Sequence, residues 1–347
     1  MHSHELKLYR GYANTQEVVV SGHVFRRYPS SQDLYDRKGF RYVRSIFRLF
    51  TVKTIENARI IFKFGDLKVE TRTLSDGYFR FAIPISNELS RGWHNFSVTL
   101  DDHIDGEDVT LVRKDVLLVP SRGGYTVISD IDDTFLVSYS SNMLKKLYVM
   151  LTKNVEARTP FEDVAKHYQL LSMAGKAEDN AGKNTFFYVS SSEWNLYDYI
   201  NRFILKHDLP LAVLKLKKIK NSLGDFMMTG SGSHEHKQTK IEHIITFYPK
   251  NTFILLGDDS QHDPVIYENI CKIFPQNIKA IYIRQTRKQP KTEVTERLAN
   301  IENLGVRVCY FSHSSEAIEH SVREGIVSRK AFENFQIENI ALPNLEE

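Results

Sequence analysis

The stretch Tyr125-Thr126-Val127-Ile128-Ser129-Asp130-Ile131-Asp132-Asp133-Thr134 decides how the second half of this chain folds. It opens as a short apolar run, the pattern of a strand covered on both faces, and it ends in three acids within four residues. The apolar run recurs at residues 185–189, 211–216, 252–256, 279–283 and 306–311. Amphipathic stretches such as 196–206 and 239–247 lie between most of these runs. Strands alternating with helices predict an α/β domain with a mainly parallel sheet covered on both faces. Ligands of such sheets bind beyond the carboxyl ends of the strands, so the residues that follow each run carry the functional question.

Upstream the texture differs. Pro120-Ser121-Arg122-Gly123-Gly124 reads as a linker. Before it, residues 59–64 and 67–73 alternate apolar and polar around the turn pair Gly65-Asp66, and Asp76-Gly77 introduces a third run at 78–83. Phe96, Val98 and Leu100 alternate again, and 109–119 is a further strand candidate. Strands spaced this way from about residue 15 to 119 predict an all-β, sandwich-like domain over 1–120. The α/β domain then occupies 121–347, with a helical insert at about 138–183.

Bulk properties fit this division. A chain of 347 residues is ordinarily two domains, and an apolar share of 41% suffices for two cores. A formal net charge of +3 is too small to point to a nucleic-acid partner, but it leaves room for a local basic patch facing anionic lipid. Cys271 and Cys309 have no ligand spacing around them and read as reduced thiols. His234, His236, His262 and His313 show no zinc spacing either. The first twelve residues lack the apolar core of a signal peptide, and no apolar run reaches the roughly 18 residues that a membrane span needs. The expectation is a cytoplasmic protein that meets a membrane, if at all, from its surface.

Four short segments follow the predicted strands. Asp130-Ile131-Asp132-Asp133-Thr134 comes first, then Ser190-Ser191-Ser192, then a helix opening at 233–237, then Gly257-Asp258-Asp259-Ser260-Gln261-His262-Asp263. Packed acids repel one another unless a positive group joins them, normally a metal ion. Singly, an acid-rich loop is most often a solvated turn, and a serine run a helix cap. Four such pieces in this order, two of them acid clusters ending apolar strands, carry more weight.

In that order they resemble the four motifs of the haloacid-dehalogenase superfamily: Asp130-x-Asp132-x-Thr134, Ser190, Lys237 followed by Ile241 and Ile244, and Gly257-Asp258 with Asp263 five residues on. The stretches 128–134 and 188–195, His236-Lys237, Asp263-Pro264, Arg158-Thr159-Pro160-Phe161 and Ile281-Tyr282-Ile283-Arg284 are similar to the catalytic domain of the actin-patch-associated phosphatidate phosphatase family. Glu193, Glu162-Asp163 and Asp259 depart from that family's usual residues, and Asp259 is expected to add negative charge beside the metal. The resemblance implies a Rossmann-like domain and Mg²⁺-dependent hydrolysis of a phosphomonoester. It makes Asp130 the nucleophile and Asp132 the general acid and base. Ser190 and Lys237 would hold the phosphate oxygens, with Lys240 the competing candidate for the lysine. Thr134, Ser191 and Arg284 would meet the substrate. Asp130, Asp132 through its main-chain carbonyl, and Asp258 would hold the metal, with Asp263 either a ligand through water or an anchor behind the ligands.

The substrate implied is phosphatidate or a related lipid phosphate, cleaved to diacylglycerol and phosphate. Two segments bear on this. Residues 143–151 are amphipathic with two lysines, and 214–220 alternate apolar and basic residues. Each reads either as a contact with anionic membrane or, more plainly, as a cap helix burying its apolar face and an edge strand guarded by lysines. The alternatives are a phosphatase of soluble esters such as a sugar phosphate, nucleotide or nucleic-acid end, and a non-enzymatic protein that binds through its β-rich half. Against the latter, a scaffold has no use for Asp132.

Overall fold

The computed structural model describes residues 4–28, 52–120, 124–131, 158–175, 183–217, 233–260 and 262–340. Its contacts divide into two units. The first holds Met1–Pro120, Ser192–Tyr199 and Leu216–Ser231, and the second the rest, as far as these are described.

The first unit is built on one sheet of eight strands: β1 (Glu5–Ala13), β2 (Glu17–Arg27), β3 (Lys53–Thr54), β4 (Arg59–Phe64), β5 (Leu67–Arg72), β6 (Tyr78–Pro84), β7 (Gly92–Ile104) and β8 (Glu107–Val119). Their order is β3-β2-β1-β8-β7-β4-β5, with β6 also on β2. Alternation places Phe79, Phe81 and Ile83 of β6 inward and Arg80, Ala82 and Pro84 outward. Phe62 of β4 and Phe81 of β6 belong to strands that are not hydrogen-bonded neighbours, yet their rings lie 5.4 Å apart. The sheet therefore folds over a shared core that includes Leu6, Val20, Val98 and Leu117. Gly77 makes the turn into β6 at φ +73°, where a Cβ would stand 2.6 Å from the Val24 carbonyl oxygen, so no other residue fits.

One expectation is corrected here. The β-rich region begins at Glu5, ahead of residue 15, because Leu6 and Leu8 already point into the core in alternation with Glu5 and Lys7.

The rest of the chain carries the α/β pattern, mostly in the second unit, with Ser192–Tyr199 and Leu216–Lys217 counted in the first. The elements are β9 (Tyr125–Asp130), α1 (Arg158–Met173), β10 (Thr185–Glu193), a 3-10 turn (Trp194–Leu196), α2 (Tyr197–Lys206) and β11 (Ala212–Lys217). There follow α3 (Ser233–Phe247), β12 (Thr252–Asp258), α4 (Asp263–Ile273), β13 (Ile278–Arg284), α5 (Thr292–Asn303), β14 (Arg307–Phe311), α6 (Ser314–Arg323) and α7 (Arg329–Ile340). The order β11-β10-β9-β12-β13-β14 is 3-2-1-4-5-6 counted from the first strand of this sheet, the order of doubly wound sheets. The pairs β10–β9, β9–β12, β12–β13 and β13–β14 are all parallel. Near-continuous burial along β9 and β12 explains why these strands read as apolar runs without alternation.

Ser190-Ser191-Ser192 lies inside β10 rather than after it, because the strand stays extended beyond Val189, which pairs with Asp130. β11 stands at the edge of the sheet, with Ala212, Val213, Leu214 and Leu216 buried and Lys215 and Lys217 half-buried. Its apolar residues are thus committed to the protein interior. The amphipathic stretch 143–151 lies outside the described residues, as do Lys218 and Lys220. No helix among the described residues is long and apolar enough to cross a membrane. Cys271 on α4 and Cys309 on β14 are both buried and unbridged, and burial above all pushes each thiol up to about 12.

Candidate active site

The sheet order reverses between β9 and β12, so the connections from these two strands leave in opposite directions and open a crevice at their carboxyl ends. The register Leu256↔Ser129 sets those ends side by side. Asp130 is the last residue of β9 and Asp258 the last of β12, and both are buried.

α3 brings the cation. Lys237, Ile241 and Ile244 follow helical spacing along one face, and all three are buried. The Lys237 ammonium lies 3.0 Å from Asp130 Oδ1 and also donates to Asp263 Oδ1. Lys240 is directed elsewhere: its Nζ donates to the carbonyl oxygens of Ser190, at 3.2 Å, and Lys215, at 3.3 Å. Burial alone would push the Lys237 ammonium down, but Asp130 and Asp263 overcome this and hold it well above the ordinary lysine range.

Asp263 opens α4, where the helix N-terminus favours a carboxylate. Its Oδ2 accepts the Asp258 backbone N–H at 3.3 Å. Gly257 makes this approach possible, since a Cβ there would stand 2.4 Å from Asp263 Oδ2. The buried Tyr267 phenol, which donates to the Leu256 carbonyl oxygen at 2.8 Å, is held well above its usual range by burial first, then by Asp263, Asp130 and Asp258 together. Three carboxylates and one ammonium thus share one interior neighbourhood at the strand ends.

Residues 125–285, which span all of these groups, match the family described as "Phosphatidate phosphatase APP1, catalytic domain". The match covers just under half of this chain. Two curated relatives are similar. Phosphatidate phosphatase APP1 of Saccharomyces cerevisiae is 27% identical over 188 residues, covering 54% of this chain and 30% of the yeast protein. "Uncharacterized protein C29B5.04c" of Schizosaccharomyces pombe is 24% identical over 168 residues, covering 48% of this chain and 26% of the relative. The chain spans less than a third of the length of these relatives. Among solved structures, a carbohydrate acetylesterase from Xanthomonas citri aligns over 96% of this chain and 76% of its own, at 9% identity and a TM-score of 0.36, a similarity too low to carry an argument.

Within this matched segment, the structure brings Asp130, Lys237, Asp258 and Asp263 together and places Ser190, fully buried, one residue beyond the Val189↔Asp130 pair. Arg284 ends β13 in register with Asp258 and is half-buried. With Tyr168 and Gly257 it lines a cavity of about 10 Å³, room for about one water. Asp132, Asp133 and Thr134 lie outside the described residues, as does the Ser191 side chain. Among the described residues, no group of three or more His, Cys, Asp or Glu side chains is gathered to hold a metal ion. His236 is exposed on α3, and the His313 backbone N–H at the start of α6 donates to Glu316 at 3.0 Å.

The Asp259 carboxylate is engaged by the neighbouring strand ends: Oδ1 accepts the Thr286 backbone N–H at 2.8 Å and the Thr286 hydroxyl at 2.5 Å, and Oδ2 accepts the Tyr310 hydroxyl at 2.7 Å. A buried carboxylate is tolerated where donors surround it, and these donors come from the ends of β13 and β14.

Tyr168 went unnoticed in the sequence. The Ser129 hydroxyl donates to the Asp130 carbonyl oxygen at 2.8 Å and lies 2.7 Å from the Tyr168 hydroxyl. With the serine proton committed, Tyr168 is the donor of the second bond, so α1 is tied to the strand that bears Asp130. Only a tyrosine within a helical pattern marks the position, which is no signal at all.

Proposed function

We propose that this chain is a phosphoric monoester hydrolase of the haloacid-dehalogenase type, with a Rossmann-like catalytic domain, a magnesium requirement and phosphatidate or a related lipid phosphate as substrate. The observation that carries the proposal is the buried Asp130 carboxylate at a strand end with the Lys237 ammonium 3.0 Å away. The match of residues 125–285 to the APP1 catalytic-domain family supports the substrate class.

The donors suit magnesium. They are oxygens only, and the three carboxylates exceed the single ammonium by two formal charges, a balance that a hard divalent cation restores. Asp130, Asp258 and the main-chain carbonyl of Asp132 would hold it, while Asp263, engaged by Lys237 and by the Asp258 N–H, fits the anchoring role better than that of a ligand. When bound, the cation would offset the charge of a phosphate dianion so that a carboxylate can approach it.

Asp130 then attacks phosphorus in line, forming an O–P bond as the bond to the leaving alkoxide breaks. Asp132 gives that alkoxide its proton and afterwards takes one from the water that attacks phosphorus, releasing phosphate and restoring the Asp130 carboxylate. Lys237 and Ser190 steady the phosphate oxygens, the lysine as a charge fixed before substrate arrives. Thr134, Ser191 and Arg284 would meet the substrate.

The test is phosphate release, with and without Mg²⁺, from phosphatidate in mixed micelles and from soluble phosphomonoesters. Preference for phosphatidate is expected, together with activity that chelation removes and loss of turnover in Asp130→Asn on the order of 10⁴-fold without unfolding. Activity retained in that variant would sink the nucleophile assignment. Preference for a soluble ester would keep the chemistry and replace the lipid, and with it the placement at a membrane surface. No release from any ester would favour a binding protein.

A further inference from the structure

Arg284 ends β13 in register with Asp258, and the chain that leaves it is fastened largely by one residue. The Asp259 backbone N–H donates to the Arg284 carbonyl oxygen at 3.0 Å, and the Asp259 carboxylate takes both Thr286 donors, two residues further on. The segment is thus gripped immediately after Arg284 and again at Thr286. The Tyr310 hydroxyl holds the other carboxylate oxygen, and Lys291 Nζ donates to the Asp259 carbonyl oxygen at 3.1 Å. Between the grips, the Gln285 N–H donates to the Phe311 carbonyl oxygen at 2.7 Å.

An arginine reaches an anion through a long side chain with much rotamer freedom, so the fixity of its backbone sets how much ordering remains to be done on binding. Asp259 follows Asp258 directly, so the same turn fixes a proposed magnesium ligand and the base of the arginine.

We propose that Asp259 is a positioning residue for Arg284, bracing the end of β13 so that the guanidinium is pre-set for an anionic oxygen of the substrate. This rests on the phosphatase reading above. The brace is made of hydrogen bonds from Thr286 and Tyr310, so its shape matters more than its charge. Asparagine keeps an acceptor for Thr286 and places a donor toward the Tyr310 oxygen, whereas serine is too short to reach both partners.

The test is steady-state hydrolysis of the best phosphomonoester by Asp259→Ser, Asp259→Asn, Arg284→Gln and the double variant Asp259→Ser/Arg284→Gln. Asp259→Ser is expected to raise KM about five- to tenfold with kcat within about twofold. Asp259→Asn should stay within about twofold of the unsubstituted chain in both constants, and Asp259→Ser should add nothing once Arg284 is Gln. Unchanged KM in Asp259→Ser overturns the proposal, as does a full additive shift in the double variant or an equal defect in Asp259→Asn. If Asp259→Ser does not fold, Thr286→Val removes one donor and should raise KM about two- to threefold, only while Arg284 is present. Absence of that rise overturns the proposal. Should the unsubstituted chain release no phosphate at all, the phosphatase reading falls first and takes this one with it.

Discussion

In the eight-stranded sheet of the first unit several ion pairs stand in solvent. Arg59 meets Glu70 at 2.8 Å with both side chains about two-fifths exposed, at 39% and 44%, and Arg26 meets Asp105 at 2.6 Å with exposures of 44% and 35%. In the parallel sheet of the second unit the order is inverted: Asp130, Asp258, Asp259, Asp263 and Lys237 are all buried, at or beside strand ends. Exposed pairs contribute little and are cheap to form, whereas buried charges cost several kcal/mol each before any attraction offsets them. Four of these groups, Asp130, Lys237, Asp258 and Asp263, share one neighbourhood at a cost that an apolar set would avoid, which fits the chemistry proposed for them.

The contrast can be broken most directly at Lys237. Lys237→Met leaves two buried carboxylates without their ammonium and is expected to cost about 3–5 kcal/mol in urea unfolding, along with turnover. A loss below about 1 kcal/mol would mean that the cluster is balanced by other means. Gly257→Ala forces Asp263 away from Lys237 and from the Asp258 N–H, and should cost about 1–3 kcal/mol with kcat down about ten- to a hundredfold. At Gly65 in the first unit, where φ is +56° and a Cβ would touch nothing, the same substitution should cost only backbone strain of about 1–2 kcal/mol.

Acid sharpens the comparison in another way, since each unit has, among its described residues, a buried histidine held near a pKa of about 3: His23 through burial, and His167 through burial and then His320. Both have folded values below the ordinary 6.5, so they stay neutral in the native state while the unfolded chain takes up protons. Their contribution is fully present above about pH 6.5 and is lost as pH falls toward 3, at about 1.4 kcal/mol per pH unit for each histidine. His23→Gln and His167→Gln should each flatten the acid limb of an unfolding curve measured against pH, and an unchanged limb would refute the burial argument. The smallest effect is expected at the surface, where Arg59→Ala should leave the unfolding midpoint within error.

Much of this was legible in advance because apolar runs ending in acids constrain a parallel sheet strongly. β9, β12, β13 and β14 lie within a residue or two of the apolar runs, and Asp130 and Asp258 stand at strand ends. β1 was missed because two leucines among charged residues make a faint alternation. The pairing of Lys237 with Asp263 joins residues 26 apart, and Asp259 finds its partners 27 and 51 residues further on. No local pattern encodes such contacts, since tertiary packing decides them. That is also why the bonds of Asp259 to Thr286 and Tyr310 could not be read in advance.

The two cysteines have a use that their burial creates. A thiol reacts with alkylating reagents as the thiolate, and Cys271 and Cys309 are held protonated and enclosed. The folded chain therefore offers a silent background for maleimide chemistry, so that one cysteine introduced at an exposed position such as His236 would carry a fluorophore alone and report when a ligand reaches the neighbouring Lys237.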